Sequence, residues 1–277
     1  MDFFPMGILH DLSQHVIFEQ VKEATESGIV PIISFGYPYG LTTNQNSYFD
    51  MLGKIVEIME EYRSPYILRP FYEINGEWTQ GWWGEITPLE FTTGWGQMYA
   101  FVHNYASNAH VALCVNSSIY KCGSIDPLDP VPFARWFTDK TDIFAIDIYN
   151  KAHVNPFKGE HYVFPDYPAK IIIGPDIAHM RELAPNIPVV ITEINSLDNK
   201  EWLADAEAYI SQLGINLWTS FDWDKEGFGE GKWNPRNSKK QMQIYTQAFT
   251  QTRYLAANPS FRGRPDVTMR TIYGNLN

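Results

Sequence analysis

Apolar runs that alternate with amphipathic helices predict an α/β chain with a parallel sheet, and three observations favour closing that sheet into a (β/α)8 TIM barrel. The runs near residues 30, 67, 112, 145, 190 and 217 are short and almost wholly apolar, as strands buried on both faces are. Nearly every run ends on its C-terminal side in polar or aromatic residues, and that rim is where barrels gather their chemistry. No Gly-rich phosphate loop follows the early strands, which disfavours an open dinucleotide-binding sheet. A length of 277 residues suits one such barrel, so residues 1–277 are read as a single domain.

The elements follow in order. Phe3 and Phe4 are the only candidates for a first strand, and they match one poorly. Ile17, Phe18, Val21 and Ala24 have helical spacing, with Gly28 placed to close the helix. Ile29–Phe35 is a β-branched run that turns at Gly36-Tyr37-Pro38. From a cap at Asn46 or Ser47, Tyr48, Leu52, Ile55, Val56 and Met59 line one helical face. Tyr66–Leu68 is a strand that runs into Arg69, Tyr72, Glu73 and Asn75 before Gly76. Thr87-Pro88-Leu89-Glu90 has the form of a helix start, with a capping threonine, proline at the first helical position and glutamate three residues after the cap. His110–Asn116 is a strand, a short helix spans Phe133–Phe137, and Ile143–Tyr149 is the next strand. An aromatic-rich loop from Asn150 to Lys170 leads to a helix near Ile177–Leu183, and Ile187–Asn195 follows as a strand. Leu203, Ala206, Ile210 and Leu213 mark a helix closed by Gly214, Ile215–Phe221 is the last strand, and a helix covers roughly Lys239–Leu255.

Bulk properties narrow the partners. A net charge of −11 argues against a nucleic-acid backbone or an anionic membrane surface. No stretch of ~18 apolar residues is present to span a bilayer. Aromatic residues make up 15% of the chain, and many lie outside the apolar runs, where flat rings suit sugar rings. Cys114 and Cys122 form no disulfide framework and are expected as free thiols.

One sequence repeat carries the chemistry. Tyr66-Ile67-Leu68 leads to Glu73-Ile74-Asn75, and Val189-Val190-Ile191 leads to Glu193-Ile194-Asn195. If the two strands are parallel, their glutamates share one rim. The alternative is that each glutamate pairs with an arginine such as Arg69 and ties the rim together. Two carboxyl groups across one cleft are what glycoside hydrolysis requires: one protonates the leaving oxygen, and the other attacks the anomeric carbon or activates water. A retaining enzyme needs them ~5–5.5 Å apart.

Arg69-Pro70-Phe71-Tyr72-Glu73-Ile74-Asn75-Gly76-Glu77-Trp78, followed by Trp82-Trp83-Gly84, resembles the strand-four signature of family 26 glycoside hydrolases, mannanase-type enzymes of the large retaining clan of (β/α)8 barrels. Val189–Glu193 resembles the family's strand-seven nucleophile segment, and Ala145–Tyr149 its strand-six segment. The resemblance runs from about residue 29 to 225 and implies Glu73 as general acid/base and Glu193 as nucleophile. It further implies that Tyr149 hydrogen-bonds the nucleophile, that Trp78 lines the substrate groove and that Trp218 is a sugar-stacking platform, a role for which Trp223 competes. Arg69, Tyr72 and Asp147 complete the expected substrate-binding set, Asp147 as a supporting acceptor. Two departures are plain: the family usually has histidine immediately before the acid/base, where this chain has Tyr72, and the first strand is poorly matched.

The expected function is a retaining endo-β-glycosidase acting on a neutral β-linked polysaccharide, mannan first and mixed-linkage glucan or xylan next. The rival is a carbohydrate-binding barrel that has lost catalysis. Asp126 and Asp129 fit turn and cap chemistry better than a calcium site, and the seven histidines show no metal-ligand spacing, so neither metal nor cofactor is expected. His153 and His161 are read as solvated loop residues. A secreted or extracellular monomer is expected, with a cytoplasmic location as the alternative because no charged-then-apolar leader is recognised in the sequence.

Overall fold

The computed structural model describes residues 26, 30–37, 39–76, 84–117, 132–150, 153–155, 160–162, 168–196 and 201–220. All six apolar runs form strands of one sheet: β1 (Ile32–Phe35), β2 (Tyr66–Pro70), β3 (Ala109–Asn116), β4 (Ile143–Asn150), β7 (Val189–Ser196) and β8 (Trp218–Ser220), with the hairpin strands β5 (His153–Asn155) and β6 (Glu160–Tyr162) between β4 and β7 in the chain. Every neighbouring pair in the six-stranded sheet is parallel, and strand order follows chain order without reversal. A doubly wound sheet reverses direction at a switch point; a barrel does not. Six strands of the expected eight lie among the described residues, and the sheet there is not closed. The candidate strand at Phe3 and the helices expected at residues 17–24 and 239–255 lie outside them.

Among the described residues, four α-helices accompany this sheet: α1 (Gln45–Glu61), α2 (Pro88–Tyr105), α3 (Ala169–Leu183) and α4 (Trp202–Gln212). The apolar stripe Tyr48, Leu52, Ile55, Val56 and Met59 is the buried face of α1. Tyr48 meets Phe71 at 5.0 Å between ring centroids, which joins α1 to the end of β2. The capping box expected at Thr87 is present: its hydroxyl accepts from the Glu90 N–H, and the Glu90 carboxylate accepts from the Thr87 N–H at 2.8 Å. The Thr87 hydroxyl also donates to the Glu90 carboxylate at 2.7 Å, and this bond, then that from the Thr87 N–H, holds the exposed Glu90 carboxyl below its ordinary pKa.

Three boundaries differ from expectation. Helix α1 begins after Asn44, before the expected cap at Asn46 or Ser47, and Asn44 makes no side-chain cap bond. Helix α3 starts at Ala169 and runs through Pro175, where a sequence reading stops because proline lacks the amide hydrogen. The last strand, expected from Ile215 to Phe221, begins only at Trp218. Residues 151–167, read as an open loop, contain the antiparallel β5–β6 pairing.

The end of the sheet opposite the C-terminal rim is tied by two carboxylates. Glu60 accepts from Tyr66 Oη, from the Ser107 N–H and hydroxyl, and from the Asn108 backbone and side chain. Asp142 accepts from Tyr99 Oη and from the Val111 N–H, and its Oδ2 lies 3.0 Å from His103 Nε2. Both stitch a helix to the start of a neighbouring strand, and in a barrel that end serves stability.

Candidate active site

The polar groups at the C-terminal ends of β1, β2, β3, β4 and β7 converge on Arg69. Within a strand, alternate residues face the same side, so Asp147 and Tyr149 of β4 project together. Glu193 stands beside Asp147 in register, but the pairing slips: Ile146 faces Ile191, whereas Asp147 faces Glu193. Thr192 is therefore one residue too many, a β-bulge, and the β7–β8 register is irregular over the same stretch. A bulge lets two successive side chains reach the same side. Thr192 donates to Asp147 Oδ1 at 2.7 Å, and Glu193 takes its place among the β2 and β4 groups. Thr219 Oγ1 of β8 donates to the Thr192 carbonyl and holds the bulge from the other edge.

Arg69 is 1% exposed and is shared among three strands. Its Nε donates to Ser34 Oγ at 2.7 Å, its Nη1 to both oxygens of Asp147 at 2.9 and 3.1 Å, and its Nη2 to Glu193 Oε1. Burial alone would lower its pKa, but the charges of Asp147 and then Glu193 outweigh burial and keep it cationic. Asp147, 0% exposed, also receives the Cys114 thiol at 3.4 Å. Burial pushes its carboxyl up from the ordinary range, against the pull of Arg69. Burial likewise raises the thiol of Cys114, which is a free cysteine as expected; Cys122 lies outside the described residues. Arg69 and Asp147, expected to contact substrate, thus lie beneath the surface and face each other.

Glu193 is 4% exposed, with one oxygen on Arg69 and the other receiving the Tyr149 hydroxyl. Burial and then the Glu193 charge push the Tyr149 hydroxyl well above its ordinary pKa, so it remains a donor. Tyr149 therefore contacts Glu193 as the resemblance implied.

Glu73 reaches the same rim by a different route. Pro70 has no amide hydrogen to continue the ladder, so β2 ends there, and Phe71 and Glu73 adopt φ of +50° and +55°. Non-glycine residues rarely adopt these angles, and a pair at the end of one strand marks a backbone held by its surroundings. The holding group is Asn75: its Nδ2 donates to the Asn116 carbonyl at 2.9 Å, and its Oδ1 accepts the Asn116 N–H at 2.7 Å. Glu73 is 8% exposed, and its charge raises the pKa of Tyr72, Asp147 and Tyr149, which places it in the same electrostatic neighbourhood as Glu193. The Tyr72 ring lies under the Arg69 guanidinium, 4.7 Å from its centroid, in cation–π contact. Burial is the main cause that raises the Tyr72 phenol.

Trp218 is 8% exposed and pairs with Ile191, two residues before Glu193. Trp78 and Trp223, Asp126 and Asp129 lie outside the described residues, as do the side chains of His153 and His161. The sequence reading assigned no place in the site to Ser34, Cys114, Thr192 or the Asn75–Asn116 pair. Small polar residues one or two positions from the end of an apolar run were the available signal. Among the described residues, no group of three or more His, Cys, Asp or Glu could hold a metal ion, and no helix is long and apolar enough to cross a membrane.

No protein-family model matches the chain, and no curated protein is similar to it in sequence. Solved structures do resemble it. A Cellulomonas fimi endo-β-1,4-mannanase double mutant superposes with a TM-score of 0.62 at 15% identity, over 90% of this chain and 60% of that one. A Bacillus subtilis mannanase gives 0.56 at 17% identity, over 84% and 69%, and Thermotoga maritima Cel5A, solved with a mannotriose substrate, gives 0.55 at 12%, over 84% and 78%. The chain therefore spans about three-fifths of the length of the first of these enzymes. The structural neighbours are endo-β-1,4-mannanases and related glycosidases, and the likeness shows that this chain has the parallel strand–helix fold of the barrel glycosidases.

Proposed function

We propose that the chain is a retaining endo-β-glycosidase, one catalytic (β/α)8 barrel over residues 1–277, which cleaves a neutral β-linked polysaccharide. Mannan is the first substrate to test, then mixed-linkage glucan and xylan. The observation that carries this reading is the pair of buried carboxyl groups on one rim, one of them, Glu193, held at both oxygens by Arg69 and Tyr149.

Glu193 suits the nucleophile because its two donors fix its direction and stabilise negative charge on its oxygens. In the first step a Glu193 oxygen bonds to the anomeric carbon as the glycosidic bond breaks, and the proton of Glu73 passes to the departing oxygen. In the second, Glu73 takes a proton from water, the water oxygen attacks the anomeric carbon, and the ester to Glu193 breaks. Arg69 and Asp147 act as positioning residues in this scheme, since neither is exposed to a sugar. Tyr72 covers Arg69 where the family has histidine, and it forms part of the floor on which the sugar rests. Trp78, Trp218 and Trp223 remain the proposed aromatic walls of the cleft. A polymer is met outside the cell, which fits secretion.

The test is a panel of soluble mannan, mixed-linkage glucan and xylan, with products followed by reducing-end assay and the first-formed anomer by NMR. Retention of configuration, with product release lost in Glu73→Ala and Glu193→Ala, supports the reading. Inversion would refute double displacement. Binding without turnover, unchanged by either substitution, would establish the non-catalytic rival.

A further inference from the structure

We propose that Tyr39 is a preset aromatic platform for a sugar ring, at a binding subsite beyond the β1 end of the candidate cleft. The subsite rests on the glycan-cleft reading above, but its occupancy does not depend on cleavage.

Three observations place it. Strands β1 and β2 run parallel with Phe35 beside Pro70, so the turn after Phe35 and the turn that carries Glu73 leave the sheet at the same rim. Tyr39 lies in that first turn and is 47% exposed, although the residues on either side of the turn, Phe35 and Leu41, are buried in the core. Its backbone φ is +57°, a conformation in which a bulky non-glycine residue is a true outlier. Such strain persists only where the surroundings hold it.

Here the holding groups are identifiable. The Tyr39 carbonyl accepts from the Thr42 N–H at 3.0 Å, the Asn44 N–H at 2.9 Å and the Thr42 hydroxyl at 3.3 Å. Gly40 donates to the Tyr37 carbonyl at 2.8 Å, and Gln45 Nε2 ties the Leu41 carbonyl at 3.0 Å. The Tyr39 ring packs against Gly84, which follows the Trp82-Trp83 pair in sequence; a Cβ there would overlap the ring, and φ of +86° separately requires glycine. The turn is thus rigid, its strain is compensated, and it presents an aromatic ring to solvent that the core does not use. The apolar C–H face of a neutral pyranose packs on the electron-rich face of such a ring, and a phenol adds a hydrogen-bonding edge. A preset ring also loses little freedom on binding, which favours affinity.

The experiment measures binding of β-1,4-mannohexaose and cellohexaose by calorimetry to the full chain in a Glu73→Gln background, so that the probe persists. Tyr39→Ala is expected to weaken binding roughly tenfold, and Tyr39→Phe to stay within about twofold. Tyr39→Gly is expected to weaken binding as much as Tyr39→Ala while its melting temperature is no lower than that of the parent, because glycine accepts the positive φ. That combination separates a lost platform from a damaged turn. Unchanged affinity in Tyr39→Ala would overturn the subsite, as would a parent protein that binds neither oligosaccharide. Tyr39-dependent binding by a wild-type chain that cleaves nothing supports the subsite and refutes only the hydrolase reading. Cleavage with affinity indifferent to Tyr39 does the reverse.

Discussion

The side chain of Asn75 pairs with both backbone groups of Asn116, at 2.7 and 2.9 Å, and so stands in for a residue of strand that β2 lacks. Between Pro70 and Asn75 the chain passes through two left-handed residues, each costing on the order of 1–3 kcal/mol. The amide clamp restrains that turn against β3 and, through it, the position of the Glu73 carboxyl.

Asn75→Ala leaves the Asn116 N–H and carbonyl without these partners, and a loss of about 1–3 kcal/mol in urea unfolding is expected. Its kinetic signature is selective. On the proposed mechanism, turnover of a glycoside with a poor leaving group needs the Glu73 proton and falls more than turnover of an activated aryl glycoside, which does not. Equal losses on both substrates would show that Asn75 serves stability alone.

Arg69 is the common partner of Asp147 and Glu193, so replacing it leaves two buried carboxyl groups without their cation. Arg69→Met is expected to cost about 3–5 kcal/mol, read from the shift in the denaturation midpoint. Arg69→Lys recovers only part of this. A single ammonium cannot reproduce the fork that reaches Ser34, both Asp147 oxygens and Glu193 at once.

His110, on β3, makes stability depend on pH. Its Nε2 is buried with no hydrogen-bond partner among the described residues, and burial holds its pKa below the ordinary value, against the attraction of Asp142 and with a small further push from His103. The unfolded chain therefore takes up a proton near pH ~6.5 while the native chain does so only at lower pH. Stability from this group is complete above ~6.5 and declines as pH falls through the window beneath it, by at most about 1.4 kcal/mol per pH unit. Urea midpoints of wild type and His110→Asn at pH 7.5 and 5.5 check the sign: the variant loses less on acidification. An equal loss in both would remove His110 as the cause.

The strands were readable because each is a dense apolar run, and α1 and α2 because their stripes and the Thr87 cap are local signals. The Glu-Ile-Asn repeat was also readable, but its two copies differ in conformation. Glu193-Ile194-Asn195 lies within β7, whereas Glu73-Ile74-Asn75 lies in a turn beyond β2. Nothing in three identical letters distinguishes these states; Pro70 upstream and the partner Asn116, 41 residues away, do. The bulge at Thr192 was equally hidden, since it is set by pairing with β4 and β8 and not by any residue of β7. Arg69 was placed in the substrate-binding set, with a pairing to a rim glutamate as the alternative; it pairs with Glu193, and the partner that no local signal announced is Asp147, 78 residues away.

Tyr149 offers the sharpest test of how Glu193 is held. Its hydroxyl donates to Glu193 Oε2, and a hydrogen bond to a charged group contributes about 1.5–3 kcal/mol. If that bond steadies the nucleophile in the transition state, Tyr149→Phe lowers kcat roughly 10–100-fold and leaves KM nearly unchanged. The pH profile adds a second constraint. Burial and the neighbouring Glu193 charge hold the phenol well above its ordinary pKa, so it stays protonated throughout the working range. The alkaline limb of kcat/KM therefore belongs to another group, and Tyr149→Phe reduces the height of the profile without moving that limb. A limb that disappears with the hydroxyl would mean that Tyr149 itself ionises during the reaction, and the assignment of Glu193 as the directed nucleophile would have to be revised.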